Sequence, residues 1–361
     1  MQLDAPAMRQ GEIGEQARQS LALVEAHHNP LETAISALTC GMVHAYASLD
    51  YRRAVDYFEQ SMETFRALNA QFYLSLTLHR LGYCWANLGQ LDKWQQYTLE
   101  CMEIAKRSGN QAELALAQSN LIVAALIAGD YQGAEKLCQE TIALGEAVRM
   151  PLTLAHAKSQ LGLTHFLLGN FELARQHAGE ALNLSRNLNW AIHIALATAA
   201  LGLVESALGQ YEAAKMWAEE SLAADSRNPW AIFQAHLVLA ITCCGQGDDA
   251  AAWHYLQTLY TKMVQPRPAA LVLWPLPVAA ALLARREQKE EAVELLALTL
   301  THALSPTAWL EQWPLPTTLR TRLNQELYPN VYQSAWNRGQ SLDLETVVDR
   351  LLSQIDLKPA P

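Results

Sequence analysis

The sequence has little positive charge, and the Lys and Arg residues that it has are not clustered. The formal net charge is -10 at pH 7, whereas a surface that binds the nucleic-acid backbone needs Lys and Arg concentrated together. Acidic residues accompany the short basic pairs, which are Arg52-Arg53, Lys106-Arg107 and Arg285-Arg286. These pairs are interpreted as solvated helix faces. We therefore expect no direct contact with nucleic acid.

A segment that could enter or cross a membrane is also lacking. The longest apolar run, from Ala269 to Ala284, is shorter than the roughly 20 residues that span a bilayer. Pro275 and Pro277 interrupt it. No apolar core of the kind found in signal peptides occurs in the first residues, MQLDAPAMRQGEIGE. We expect a soluble protein with no membrane partner.

Cysteine and histidine are present without the spacing that disulfides or metal sites require. None of the six cysteines forms a Cys-x-x-Cys pair, and most lie in apolar helical patterns, where a free Cys behaves as a small hydrophobe. This usage favours a reducing, cytoplasmic compartment. His27 and His28 lie near Glu25, but adjacent side chains point in different directions and no third ligand is evident. We expect no metal site.

Recognisable catalytic motifs are absent as well. The sequence contains no Gly-x-Ser-x-Gly and no Cys/His constellation. His156 and His165 are nine residues apart on one predicted helix, so they lie on different faces and do not share a metal ion. We therefore expect that the protein is not an enzyme and that it uses no cofactor.

What the sequence does contain is an internal repeat with a period of 40 residues. The segment from Leu201 to Ala214 reads LGLVESALGQYEAA, and similar segments begin at Leu161, Leu121 and Leu81. Each segment carries a glycine at the same place: Gly89, Gly129, Gly169 and Gly209. A fixed period of this size is the signature of a solenoid of stacked units.

The order of large and small residues in each unit predicts a helical hairpin. In the most regular unit, Leu201 is expected to be buried between paired helices, and Gly202 to allow close approach of the next backbone. Gly209 then provides the left-handed conformation that ends the first helix. We predict an all-α fold: a right-handed superhelical solenoid of about eight hairpins over residues 1–327. Residues 328–361 are predicted to form C-terminal capping helices and a tail.

Two features at the ends of the chain leave alternatives open. The segment Gly11 to Ala26 has the pattern of a second helix without its first, which suggests that the chain was cut from something longer. The last amphipathic helix, through Leu352 and capped by Ser341 or Asp343, is interpreted as a cap over the final repeat. A docking surface for a further domain is the alternative.

The Leu-Gly pair, turn glycine, aromatic residue and spaced alanines resemble the tetratricopeptide repeat. The longer, 40-residue unit resembles the sensor domain of bacterial signal-transduction ATPases of the maltose-activator type, and the ending from Ala335 to Leu352 is similar to their C-termini. Such regulators carry an ATPase domain, often with a helix-turn-helix. This chain has no Gly-x-x-x-x-Gly-Lys-Ser/Thr loop. The resemblance therefore implies only the sensor role.

The working surface of a solenoid is normally its concave face, lined by the first helix of each hairpin. Taking Leu-Gly as the register, the groove combines aromatic rings with hydroxyl, amide and imidazole groups, a lining that suits an extended peptide or an oligosaccharide. It is poor in Lys and Arg, which disfavours a highly acidic ligand. Its predicted ligand-binding residues are Tyr46, His79, Tyr83, Asn87, Ser119, His156, Ser159, Phe166, His193, Ser206, Trp230 and Gln234.

These observations lead to two hypotheses about function. The first is a non-enzymatic interaction or sensor module in a bacterial signalling or transcription regulator, which binds a protein, a peptide or a small-molecule inducer in its groove. The alternative is an oligomerisation scaffold that self-assembles through the solenoid ends or through the region of Trp274 and Trp313. These two tryptophans begin the repeated sequence Trp-Pro-Leu-Pro.

Overall fold

The structure is a computed structural model that describes residues 29–47, 50–225, 228–263 and 269–355, together with Glu15, Gln19 and Ala22. Residue contacts divide the chain into two compact units, residues 1–124 (unit 1) and residues 125–361 (unit 2). The regular structure of the described ranges is helical throughout. The prediction of an all-α, tetratricopeptide-like solenoid of consecutive hairpins is confirmed. No helix in these ranges is long and apolar enough to cross a membrane.

Unit 1 contains two complete hairpins and the first helix of a third. Its helices are α1 (Pro30–Met42), extended by a π-helical turn (Val43–Ala47), α2 (Tyr51–Ala67), α3 (Gln71–Asn87), α4 (Leu91–Ser108) and α5 (Gln111–Ile127), whose last three residues belong to unit 2. Helix α1 packs on α2, α2 on α3, and α3 on α4. The predicted helix at Gly11 to Ala26 and the pair His27 and His28 lie almost entirely outside the described residues.

Unit 2 continues the hairpins and then changes to shorter helices. The regular helices are α6 (Tyr131–Ala147), α7 (Pro151–Leu167), α8 (Phe171–Asn187), α9 (Ala191–Ala207), α10 (Tyr211–Ala224), α11 (Pro229–Gln246) and α12 (Asp249–Thr258), followed by a π-helical turn (Leu259–Met263). The remaining helices are α13 (Ala269–Leu273), α14 (Leu276–Arg285), α15 (Lys289–Thr301), α16 (Thr307–Gln312), α17 (Pro314–Glu326), α18 (Pro329–Gln340) and α19 (Leu344–Ile355). Both Trp-Pro-Leu-Pro sequences lie at the start of a helix, α14 and α17.

The hairpin turns have the backbone conformation that the repeat predicts. The four repeated glycines have φ between +74° and +77°, a left-handed conformation that glycine adopts without the steric cost a Cβ would bring. Two residues after the ends of three second helices, the chain again has positive φ, at Asn69, Arg149 and Asn189. Several second helices are preceded by an Asp whose carboxylate accepts a hydrogen bond from a backbone N–H in the first turn. Asp130, for example, accepts from the N–H of Gly133.

Small residues permit close crossing of the two helices in a hairpin. A Cβ on Gly162 would lie 3.0 Å from the backbone nitrogen of Ala178 and 3.1 Å from the carbonyl oxygen of Ala174. A Cβ on Gly202 would lie 3.2 Å from Val238, so it also marks a close approach by the following helix. The Leu-Gly pair therefore packs as predicted.

The last two helices pack against the preceding repeats of unit 2. Gly339 of α18 lies against the backbone of Glu294 in α15, and Arg338 donates to Glu294 at 2.7 Å. Arg350 of α19 donates to the same carboxylate at 3.2 Å. Asp343 accepts from the backbone nitrogen of Thr346 at 2.9 Å, as predicted for its capping role. These contacts are those of a cap, while the boundary at residue 328 stays a prediction.

Candidate functional site

The predicted groove of unit 1 is centred on His79, in the middle of α3. Its ring is partly buried, and its Nδ1 lies 3.5 Å from Nδ2 of Asn120 on the first helix of the next hairpin. Burial, reinforced by the neighbouring positive charge of Arg80, lowers the pKa of His79 to about 3. The imidazole is therefore neutral at physiological pH, and one of its nitrogens donates while the other accepts.

Tyr83 lies one helical turn beyond His79 and is also partly buried. Its ring packs edge-on against Tyr51 of α2, with 6.1 Å between the ring centroids. Together with His79 and Asn120 it forms what we call the unit 1 groove surface: three side chains that offer hydrogen bonds and aromatic area without a formal charge. This surface suits a ligand rich in neutral hydrogen-bonding groups, such as a peptide backbone.

Of the three other predicted residues of unit 1, Ser119 does not add to this surface. Ser119 is 8% exposed, and its hydroxyl donates to the carbonyl oxygen of Ala115 at 2.9 Å, so it serves the helix itself. The side chains of Tyr46 and Asn87 lie outside the described part of the chain. Sequence reasoning missed Asn120, although it stands next to Ser119 in the same repeat.

In unit 2 the groove positions are covered by the chain's own later helices. Phe166 is fully buried, and its ring centroid lies 4.7 Å from that of Trp309 in α16. Trp309 in turn stacks on Trp313 at 5.3 Å. An open groove was expected here, and the structure corrects that expectation because large aromatic side chains of this same unit fill it.

Most of the other predicted residues of unit 2 are buried too. Ser159 and Ser206 are at most 2% exposed, and each hydroxyl donates to a carbonyl oxygen of its own helix. Gln234 is 1% exposed. Trp230 is partly buried and donates from Nε1 to Oε1 of Gln160 at 3.2 Å. As ligand contacts these residues stay a prediction.

A small aromatic cluster surrounds His193 at the start of α9. The ring centroids of His156 and Trp190 each lie 5.8 Å from that of His193. Burial first, and then the nearby His156, lowers the pKa of His193 to about 3. His193 is therefore neutral in the folded protein, and its Nδ1 has no hydrogen-bond partner among the described residues.

Long-range hydrogen bonds hold the covering helices in place. The Tyr131 hydroxyl donates to the carbonyl oxygen of Leu304 at 2.8 Å and accepts from Nε1 of Trp274 at 3.3 Å. Trp274, Trp309 and Trp313 are at most 1% exposed. The Trp274 and Trp313 side chains therefore lie inside unit 2 and are not exposed for self-association. Assembly through the solenoid ends or through the surrounding region stays a prediction.

Three cysteines of the described residues have thiols whose surroundings suppress ionisation. Burial raises the pKa values of Cys84, Cys101 and Cys138 to about 12, so these thiols stay protonated and weakly nucleophilic. Within the described ranges, no three His, Cys, Asp or Glu side chains are placed to hold a metal ion.

Comparison with known proteins gives a family for part of the chain. Residues 113–187 match the sequence model of the tetratricopeptide repeat, which covers most of α5 and all of α6, α7 and α8. A search of the curated proteins gave no match. Among solved structures, the fold is similar to the apo form of the quorum sensor NprR from B. thuringiensis. The sequences are 13% identical, the alignment covers 98% of this chain and 100% of that chain, and the TM-score is 0.46.

Proposed function

We propose that this protein is a non-enzymatic interaction module that binds an extended peptide or protein segment on the unit 1 groove surface. The observation that carries this proposal is the partial exposure of His79, Tyr83 and Asn120 on consecutive first helices. Tetratricopeptide repeats expose such surfaces for binding. The resemblance to maltose-activator-type regulators favours a sensor role for the complex that forms.

The chemistry of the surface defines the kind of ligand. A neutral imidazole, an amide and a phenol can form hydrogen bonds with the N–H and C=O groups of a bound peptide. The aromatic rings of Tyr51 and Tyr83 offer apolar area for the side chains of that peptide. A strongly acidic ligand is disfavoured because His79 carries no charge above a pKa of about 3. We therefore expect neutral, moderately apolar peptides.

The test uses a displayed library of random peptides selected on the full chain. Peptides that bind wild type are measured by fluorescence anisotropy against the double variant His79→Ala/Tyr83→Ala. Loss of two central contacts should weaken binding by about tenfold or more, with helicity preserved. The control is Phe72→Ala, because Phe72 lies on the same helix and is 63% exposed.

The result that would overturn the proposal is an affinity unchanged by the double variant. A library that yields no binder for wild type would also count against it. An equal loss in Phe72→Ala would show a general effect on α3 and would remove the support for this surface.

A further inference from the structure

Three equivalent turns of unit 2 face the later helices of the same unit, and two of them are filled. At Gly129, an added Cβ would lie 3.0 Å from Cβ of Leu304. At Gly169 it would lie 2.8 Å from the carbonyl oxygen of Ala308, with the Gln312 amide closer still. At Gly209 an added Cβ would have no atom within 4 Å. The turn at Gly209 is therefore not covered by a later helix in the way that the other two turns are.

A recess of about 370 Å³ lies at the open place, within the size range of sites that hold small ligands or single side chains. Its apolar part includes Ala207, Ala281 and Leu319, each at most 6% exposed. Its polar part includes Tyr211, Arg285 and Arg322. The recess is therefore apolar with hydrogen-bond donors and two cationic groups among its lining.

The filled turn at Gly129 shows what such a place accepts. Leu304 rests its side chain on Gly129, and its main-chain carbonyl oxygen accepts from the Tyr131 hydroxyl at 2.8 Å. Tyr131 stands two residues after its glycine, and Tyr211 stands two residues after Gly209. The Tyr211 ring packs on Gly245, and its hydroxyl has no hydrogen-bond partner among the described residues. The contact of Leu304 with Gly129 and Tyr131 therefore serves as a model for a ligand beside Gly209 and Tyr211.

The charges around the recess add a second preference. Arg322 is half-exposed, and its Nε lies 3.6 Å from Glu326, a separation that leaves its terminal nitrogens able to donate. Arg285 is more committed, because it pairs with Asp249 and donates to the carbonyl oxygen of Cys244 at 2.8 Å. A carboxylate on the ligand would therefore be bound chiefly by Arg322.

We propose that the recess beside Gly209 binds an aliphatic residue of an acidic peptide, in the arrangement that Leu304 has beside Gly129. The side chain lies against Ala207 and Gly209, the main-chain carbonyl oxygen accepts from the Tyr211 hydroxyl, and a neighbouring carboxylate binds Arg322. This site is distinct from the unit 1 groove surface in both residues and ligand charge.

The test uses three short peptides with blocked ends, based on the sequence around Leu304. One contains Glu-Leu-Ser-Pro, the second replaces Glu by Gln, and the third replaces Leu by Ala. Binding to the full chain is measured by saturation-transfer NMR titration. We expect the acidic leucine peptide to bind most tightly, with about tenfold weaker binding of each of the other two.

Variants of the protein then locate the site. Arg322→Gln should weaken binding of the acidic peptide about tenfold and leave the Gln peptide unchanged, and Tyr211→Phe should weaken both severalfold. Thr318→Trp, at an exposed position in the lining, should block the recess. Arg320→Gln is the matched control, because Arg320 lies on the same helix but packs over Trp336.

Several results would overturn the proposal. They are no saturable binding of the acidic leucine peptide to wild type, unchanged binding to Thr318→Trp, and equal losses in Arg322→Gln and Arg320→Gln. Loss of binding in His79→Ala/Tyr83→Ala would assign the peptide to unit 1. That outcome rejects this recess without rejecting the binding role proposed for unit 1, so the two proposals fail separately.

Discussion

The first helices of the two units follow one sequence register, yet they bury their groove positions differently. In unit 1, His79 and Tyr83 keep part of their surface in solvent. In unit 2, Phe166 is fully buried, because Trp309 of α16 packs against its ring. A repeat sequence therefore specifies which residues point toward the groove, and the rest of the chain decides whether the groove stays open.

The two units should differ most in the loss of unfolding free energy that follows removal of an aromatic ring from the groove. Replacing Phe166 by Ala removes a fully buried ring from its contact with Trp309, at a cost of about 3–5 kcal/mol of unfolding free energy. Tyr83→Ala removes a partly exposed ring, and the expected loss is below about 1.5 kcal/mol. Urea unfolding followed by circular dichroism measures both.

Trp fluorescence helps to assign the transitions, because only Trp85 and Trp94 precede residue 125 and the signal reports mainly on unit 2. Similar losses for the two variants would contradict the comparison between an open and a covered groove. A large loss for Tyr83→Ala would show that unit 1 is packed as tightly as unit 2.

A finer comparison is available between two turns of unit 2. Gly209→Ala places a Cβ at positive φ in open space and should cost about 1 kcal/mol. Gly169→Ala has the same backbone strain and also brings the Cβ against Ala308, which should add about 1–3 kcal/mol. The same unfolding measurements apply. Equal losses for the two variants would mean that α16 does not pack against this turn in solution.

The third prediction concerns pH and uses His193, which is 6% exposed. Its pKa is lowered from 6.5 to about 3, so the unfolded chain binds the proton more readily than the folded protein does. Stability is therefore retained above pH 6.5 and falls as the pH drops toward 3. Between pH 7 and pH 5 this group alone should cost about 2 kcal/mol.

His193→Leu removes the titrating group, so the measurement is the difference in unfolding free energy between pH 7 and pH 5 for wild type and variant. The variant should lose less stability on acidification. His254→Leu is a control, because His254 is exposed. The same acid sensitivity in wild type and His193→Leu would contradict a neutral, buried His193.

The repeat itself could be predicted from the sequence, because its determinants are local. Gly129, Gly169 and Gly209 recur at a fixed spacing, and each end of a helix depends on a few neighbouring residues. The packing of Gly162 on Ala178 follows from the same spacing. These features confirm the hairpins and their register.

The covering of the unit 2 groove could not be predicted in the same way. Trp309 lies outside the regular repeats, and nothing near it in sequence specifies Phe166 as its partner. The hydrogen bond between Tyr131 and Leu304 joins residues 173 positions apart, a pairing that spacing patterns do not encode. The candidate site was therefore predicted as a list of groove positions, and three-dimensional packing separated the exposed ones from the buried ones.

The bond from Tyr131 to Leu304 also bears on how unit 2 folds. In an ordinary solenoid each repeat contacts only its neighbours, so folding can start at any repeat and spread stepwise. Here the Tyr131 hydroxyl, at the start of α6, gains its partner only after residue 304 has been synthesised and has packed against it. Contacts between such distant residues slow folding and couple the repeats to one another. A simple repeat array tolerates the deletion of a single hairpin. In unit 2 such a deletion would displace α16 from the turn at Gly169 that it contacts, and we expect that unit 2 would then not fold.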